Sequence, residues 1–158
     1  MRLEVSAQPA VPVLIAAPHG GRHYPDDVKD NFRDFEARLR LEDRYVDTLA
    51  KEIAAMTGAP LVVAETPRAV IDLNRSPDDV DWSMIVGGGS GNVRHSVRNR
   101  RARNGLGLVP RRVSGFGELW KHPLAHVELD RRIETIHASY HRALGEALAD
   151  IRDSWGAV

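Results

Sequence analysis

His19 lies between Pro18 and the pair Gly20-Gly21, directly after the apolar run Val13-Leu14-Ile15-Ala16-Ala17. A run of that length closed by turn residues suits a short strand buried on both faces. Pro18 cannot donate a ladder hydrogen bond, so pairing is expected to end there. His19 then stands just past the strand, where α/β sheets gather their ligands. The two glycines add no side-chain bulk, which lets a ligand or metal come close. A plain loop histidine beside a glycine turn fits the same pattern. The chain has no cysteine. Disulfides and thiolate sites are therefore excluded, and any metal must be held by His, Asp or Glu.

Other residues invite the same test. His137 and His141 are four apart, a spacing that can chelate a metal from one helix face. No Glu follows His137, so the metalloprotease helix motif is missing and polar residues flanking an apolar stripe are the competing reading. Asp43 and Asp47 are also four apart. Asp43 suits the positive end of a helix dipole and Asp47 a solvated helix flank. Gly87 to Gly91 is a flexible stretch without a Gly-Lys-Ser/Thr ending, so phosphate binding is poorly supported. Ser90 lacks the Gly-x-Ser-x-Gly elbow, because position 92 is Asn. Arg94, Arg98, Arg100, Arg101, Arg103, Arg111 and Arg112 crowd one segment. They could line nucleic-acid backbone, form a solvated basic loop, or grip a small anionic substrate through bidentate bonds. Lys plus Arg equals Asp plus Glu at 22 each, and aromatic residues are 6%. Neither favours a nucleic-acid partner.

The elements that must position these residues follow from periodicity. A helix is expected from about Glu42 to Thr57, with Val46, Leu49, Ile53 and Met56 as its apolar stripe and Gly58 as its stop. Pro60 to Ala64 reads as a second strand. Ala69 to Asn74 reads as a third, with Asp72 and Asn74 alternating against Ile71 and Leu73. Arg22 to Arg33 should hold a turn and a short helix. Residues 81–120 read as a long excursion, a lid or loop insertion. A long helix is expected from about Ala125 to Ser154 on the stripe Leu129, Ile133, Ile136, Tyr140, Leu144, Ala147 and Ile151, with Gly156 stopping it. The length suits a single domain over 1–158. No run approaches the roughly 20 apolar residues of a membrane span. The N-terminus lacks a signal-peptide core, so a cytoplasmic location is the default.

Several of these stretches together resemble the N-formylglutamate amidohydrolase family. They are Pro18-His19-Gly20-Gly21 with Tyr24-Pro25, Asp43-x-x-Val46-Asp47-x-Leu49, Arg68-x-Val70-x-Asp72-Leu73-Asn74-Arg75, Asn104 to Arg111, and Tyr140-His141-Arg142-Ala143-Leu144. They occur in the family's order along nearly the whole chain. The resemblance implies zinc-dependent hydrolysis of an amide bond in an N-formyl or N-acyl amino acid. It implies a three-layer α/β/α sandwich of zinc-exopeptidase (phosphorylase/hydrolase) type. By the match, His19 and Asp43 become zinc ligands. Arg68, Asn74 and Arg75 become the clamp for the substrate carboxylate, with Asp72 orienting it and His141 beside the substrate.

The family's next motif, Asp-x-His-Ser-Met, would follow Gly156-Ala157-Val158. The resemblance places the third zinc ligand there and the proton-transfer Glu later. The sequence is therefore expected to be a truncated form of the domain, holding zinc weakly unless His95 or His141 is recruited. The rival expectation is a non-catalytic fragment or binding module whose free sheet edge and helix face self-associate, giving a homo-oligomer.

Overall fold

The computed structural model describes residues 10–88 and 100–156. The N-terminal residues, Gly89 to Gly91, Arg94, His95, Arg98 and the tail Ala157-Val158, all read above from sequence, lie outside the described residues.

The chain mixes helices and short strands. Strand β1 (Ile15–Ala17) leads through α1 (Asp26–Lys29), α2 (Phe35–Leu39) and α3 (Val46–Thr57) to β2 (Leu61–Val63). The two strands pair in parallel, Ile15 opposite Leu61 and Ala17 opposite Val63. A parallel pair needs a crossover of this kind. Alternate residues of β2 face opposite ways, and both faces are buried. Leu61 and Val63 pack with Ala17 and Ala50, whereas Val62 and Ala64 belong to the cluster of Ile136, Tyr140 and Ala147. The strand buried on both faces is thus β2. In β1, Ala16 is exposed and Ile15 half-buried, which corrects the sequence expectation.

Helix α3 departs further from expectation. It starts at Val46, after Tyr45 adopts a left-handed conformation (φ 66°), so Asp43 lies in the approach turn and not in the first helical turn. Its stop at Gly58 (φ 69°) is as expected. Its stripe is turned outward: Leu49 is 60% and Met56 84% exposed, with Val46 and Ile53 exposed as well. The helix meets the sheet through Ala50 and Ala54. These small side chains allow a close approach, and the larger ones project away from the sheet.

The third expected strand does not form. Residues 68–75 run through consecutive turns, with Val70 N–H donating to Pro67 O (3.0 Å) and Arg75 N–H to Asp72 O (3.0 Å). Ala69 to Leu73 are nonetheless buried. The alternation marked burial without a strand ladder.

The described parts of 81–120 contribute Met84, Ile85, Leu108, Val109 and Leu119 to the main cluster. A hairpin of β3 (Arg112–Val113) and β4 (Gly117–Glu118) follows α4 (Arg100–Arg103). The long C-terminal helix forms as α5 (His126–Arg132), a π-helical turn (Ile133–His137) and α6 (Ala138–Trp155). Leu129, Ile136, Tyr140, Ala147 and Ile151 are buried, as the stripe predicts. Among the described residues, no helix is long and apolar enough to cross a membrane.

Arg132, which no motif or apolar stripe in the sequence marks, is 2% exposed. Its Nη1 donates to Val70 O (2.9 Å) and its Nε to Glu128 Oε1 (2.7 Å). The guanidinium also lies 5.3 Å from the Trp120 ring centroid. Burial alone would raise the Glu128 carboxyl. The N–H donors and charges of Arg131 and Arg132 outweigh it and hold Glu128 below the ordinary glutamate range.

Three outcomes are expected from chemical denaturation. Gly21→Ala should cost about 3 kcal/mol, because a Cβ there would lie 1.9 Å from the Glu65 carbonyl. Leu49→Gln should change stability by less than about 0.5 kcal/mol. Glu128→Gln should cost about 2 kcal/mol at neutral pH, since it strips a charged partner from a buried arginine. A carboxyl depressed by folding contributes stability above its unfolded pKa, about 4.3 for Glu, and loses it as pH falls through the folded value. The gap between wild type and Glu128→Gln should therefore close as pH drops below about 4. A gap independent of pH would remove Glu128 from that role.

Candidate functional site

The structure brings His19, Asp43, Arg68, Asp72 and Arg75 together from three separate stretches. His19 follows β1 and is 6% exposed; Asp72 is 3% exposed. His19 Nε2 lies 2.9 Å from Asp72 Oδ1. On the other side of the ring, Arg68 Nη2 and Nε approach His19 Nδ1 at 2.7 and 3.2 Å. A guanidinium can only donate, so Nδ1 must accept. The ring proton therefore sits on Nε2 and is donated to Asp72. A buried carboxylate in this way fixes the tautomer and aims the Nδ1 lone pair at the opposite side.

Asp43 stands on that side. Its Oδ2 is 3.5 Å from His19 Nδ1 and accepts from Arg68 Nη2 at 2.6 Å. Zinc binds nitrogen and carboxylate oxygen at about 2.0 to 2.2 Å, so two donors on one tetrahedral edge stand roughly 3.3 to 3.5 Å apart. The Nδ1–Oδ2 separation fits that edge. Among the described residues no group of three His, Asp or Glu side chains converges on a common point, so His19 and Asp43 offer a two-donor seat.

Asp72 also accepts from the Asn74 backbone N–H (2.9 Å), and Arg75 Nε lies 3.5 Å from its Oδ2. Burial alone would raise the Asp72 carboxyl; the His19 N–H, the Asn74 amide and the Arg75 charge hold it below the usual aspartate range. Arg75 Nε is buried without a hydrogen-bond acceptor, while Asn74 is exposed at the crest of the turn.

The histidines of the long helix hold this turn. His137 Nε2 meets Arg75 O and His141 Nε2 meets Leu73 O, each at 2.9 Å. A carbonyl only accepts, so both Nε2 atoms carry protons and donate them to the turn. Burial holds His137 below the ordinary histidine range, which keeps it neutral at neutral pH. The π-helical turn ends at His137, and Ile136 and His137 are both buried there.

The glycines answer to packing. A Cβ on Gly20 would lie 2.9 Å from Asp47, and one on Gly21 would meet the Glu65 backbone, so neither position has room for a side chain. Asp47 is paired by both oxygens to Arg22, at 3.2 and 3.0 Å, and is not freely solvated. With Gly20, Gly21, Lys51 and Glu65 this pair lines a cleft of about 330 Å³. Arg111 bonds Asp81 (2.7 Å) and Glu118 (2.5 Å), so those acids satisfy it within the fold. Neither Arg22 nor the Arg111 pairs were visible in the sequence, where their partners are 25, 30 and 7 residues away.

Three comparisons bear on this arrangement. The family model for N-formylglutamate amidohydrolase matches residues 11–158. A curated relative, N-formylglutamate deformylase from Pseudomonas putida, is 32% identical over 151 residues, covering 94% of this chain and 49% of its own length. The crystal structure of N-formylglutamate amidohydrolase from Ralstonia eutropha JMP134 superposes with a TM-score of 0.80 at 31% identity, over 99% of this chain and 54% of that one. The chain spans about half the length of these relatives. With the family model matching nearly end to end, the chain belongs to the N-formylglutamate amidohydrolase family.

Proposed function

We propose that this chain carries the metal-binding and substrate-carboxylate-binding part of a zinc-dependent amidohydrolase. The reaction would cleave the amide bond of an N-formyl or N-acyl amino acid, with N-formylglutamate as the reference substrate. One observation carries the reading. A buried histidine has its Nε2–H committed to a buried aspartate, and its Nδ1 lone pair faces a second carboxylate at 3.5 Å. A core histidine needs no such second carboxylate. We further propose that the local arrangement of β2 between α3 and α6 belongs to a three-layer α/β/α sandwich of zinc-exopeptidase type.

In this reading His19 Nδ1 and Asp43 would hold zinc, with Asp72 fixing the imidazole. Bound zinc would lower the pKa of a water toward 7 and polarise the amide carbonyl. The residues of this chain do the rest. Arg75, whose side chain is partly exposed, and Asn74, exposed beside it, would take the substrate carboxylate. A guanidinium suits that task because its fork matches a carboxylate. Arg68 would add a second cation. His141 would act through the Leu73 carbonyl it supports. Hydrolysis adds water across the C–N bond, giving the acid and the free amine. The third metal ligand and the proton-transfer carboxylate would come from the family's further motifs.

A second reading has its own support. The apolar α3 stripe facing outward fits a module that self-associates.

Zinc content and formate release from N-formylglutamate separate the two. Stoichiometric zinc that falls at least tenfold in affinity in His19→Ala, with turnover abolished by chelation, is the outcome expected for the enzyme. His19-dependent zinc without turnover would leave the module reading. Zinc binding unchanged in His19→Ala would overturn the metal assignment.

A further inference from the structure

We propose that Arg68 is an internal competitor for the metal seat: its guanidinium and a divalent cation take the same place between His19 Nδ1 and Asp43 Oδ2, and metal entry releases Arg68 toward an anionic substrate. The inference rests on the zinc reading above.

The geometry is specific. One atom, Arg68 Nη2, contacts both donors, at 2.7 Å from His19 Nδ1 and 2.6 Å from Asp43 Oδ2. Those donors are 3.5 Å apart, so Nη2 lies over the edge that a tetrahedral cation would share. The Nδ1 lone pair is one orbital and cannot accept from Nη2 while it coordinates a metal. A metal ligated by Nδ1 and Oδ2 would also bring two positive charges into contact range with the guanidinium, so both cannot occupy the seat. The rest of the pair is indifferent to the exchange, because Asp72 secures the His19 ring from the opposite nitrogen. Only Arg68 has to move. Its side chain is 32% exposed, so it has an outward path.

The exchange has two consequences. Arg68 neutralises the Asp43 carboxylate and satisfies the buried Nδ1 whenever no metal is there, which spares the fold an unpaired acceptor. Once displaced, the same cation has lost its carboxylate partner and is available for an anionic group on the substrate. Metal loading and substrate-anion affinity are then coupled through one side chain.

The test is zinc binding by calorimetry to the 158-residue chain, to Arg68→Met, and to the double variant His19→Ala with Arg68→Met. Arg68→Met should bind zinc about ten- to hundredfold more tightly than wild type, the factor carried by the charge-assisted hydrogen bonds it no longer has to break. The double variant should lose that gain. A measurement on the unaltered chain guards against misfolding of the variant. The Arg68 Nε–H resonance should lose its exchange protection as zinc is added. Affinity equal to or below wild type in a folded, His19-dependent Arg68→Met, or an Arg68 signal indifferent to bound zinc, would overturn the competition and leave the zinc reading intact. Absence of His19-dependent zinc in every form would overturn both.

Discussion

The arrangement depends on one buried carboxylate. Asp72 takes the His19 Nε2–H, the Asn74 amide and the approach of Arg75, and is almost sealed from solvent. A charge in that position is tolerable only with such partners. In exchange it joins the end of β1 to a turn 53 residues away, selects the histidine tautomer, and sets the direction of the remaining lone pair. Every other contact of the site is arranged around that direction.

Holding Asp72 in place is the task of the turn at 68–75, and the turn is held from outside itself. Asp72 N–H bonds Leu108 O (2.7 Å), Arg132 bonds Val70 O, His141 bonds Leu73 O, and His137 bonds Arg75 O. A strand would have met its carbonyls with a ladder. Here three cationic or imidazole donors from the C-terminal helix replace one, each reaching 62 to 68 residues along the chain. Buried backbone acceptors have to be met somehow. Arg132 is itself acceptable in the core because Glu128 and the Val70 carbonyl satisfy it. The helix that sequence periodicity recognises as a packing element is therefore also the scaffold of the site.

This explains what could be read from the residues and what could not. Local signals were reliable where the cause was local: Gly58 and Gly156 ending helices, the stripe of the long helix, the run that becomes β2. The alternation at 69–74 recorded burial, and burial does not distinguish a strand from a pinned turn. The stripe of α3 recorded an apolar face without saying whether this segment of chain would cover it. In the described structure Leu49 and Met56 meet solvent, while Ala50 makes the contact. Gly20 and Gly21 line a cleft and also let Asp47 and Glu65 pack close behind them. The motifs carry His19, Asp43, Arg68, Asp72 and Arg75 but not their contacts. What the motifs could not show is that Asp72 grips the histidine, or that Arg68 bridges the two donors.

Charge balance gives the proposed site its substrate logic. Asp43 and Asp72 carry two negative charges, Arg68 and Arg75 two positive, and His19 with its Nδ1 accepting is neutral, so the constellation is balanced as it stands. The neighbouring Arg22–Asp47 pair adds nothing to the sum. Counting the residues named here alone, a divalent cation seated on His19 and Asp43 would leave an excess of two positive charges in a partly desolvated site, where such an excess is felt strongly. An N-acyl amino acid with two carboxylates brings two negative charges, and its amide is neutral. Metal and dianionic substrate would then each make the other's binding easier, by the reciprocity that any coupling free energy must obey. In the proposed reading, a site built of balanced pairs, one of which a metal would break, would favour an acidic N-acyl amino acid over a neutral one.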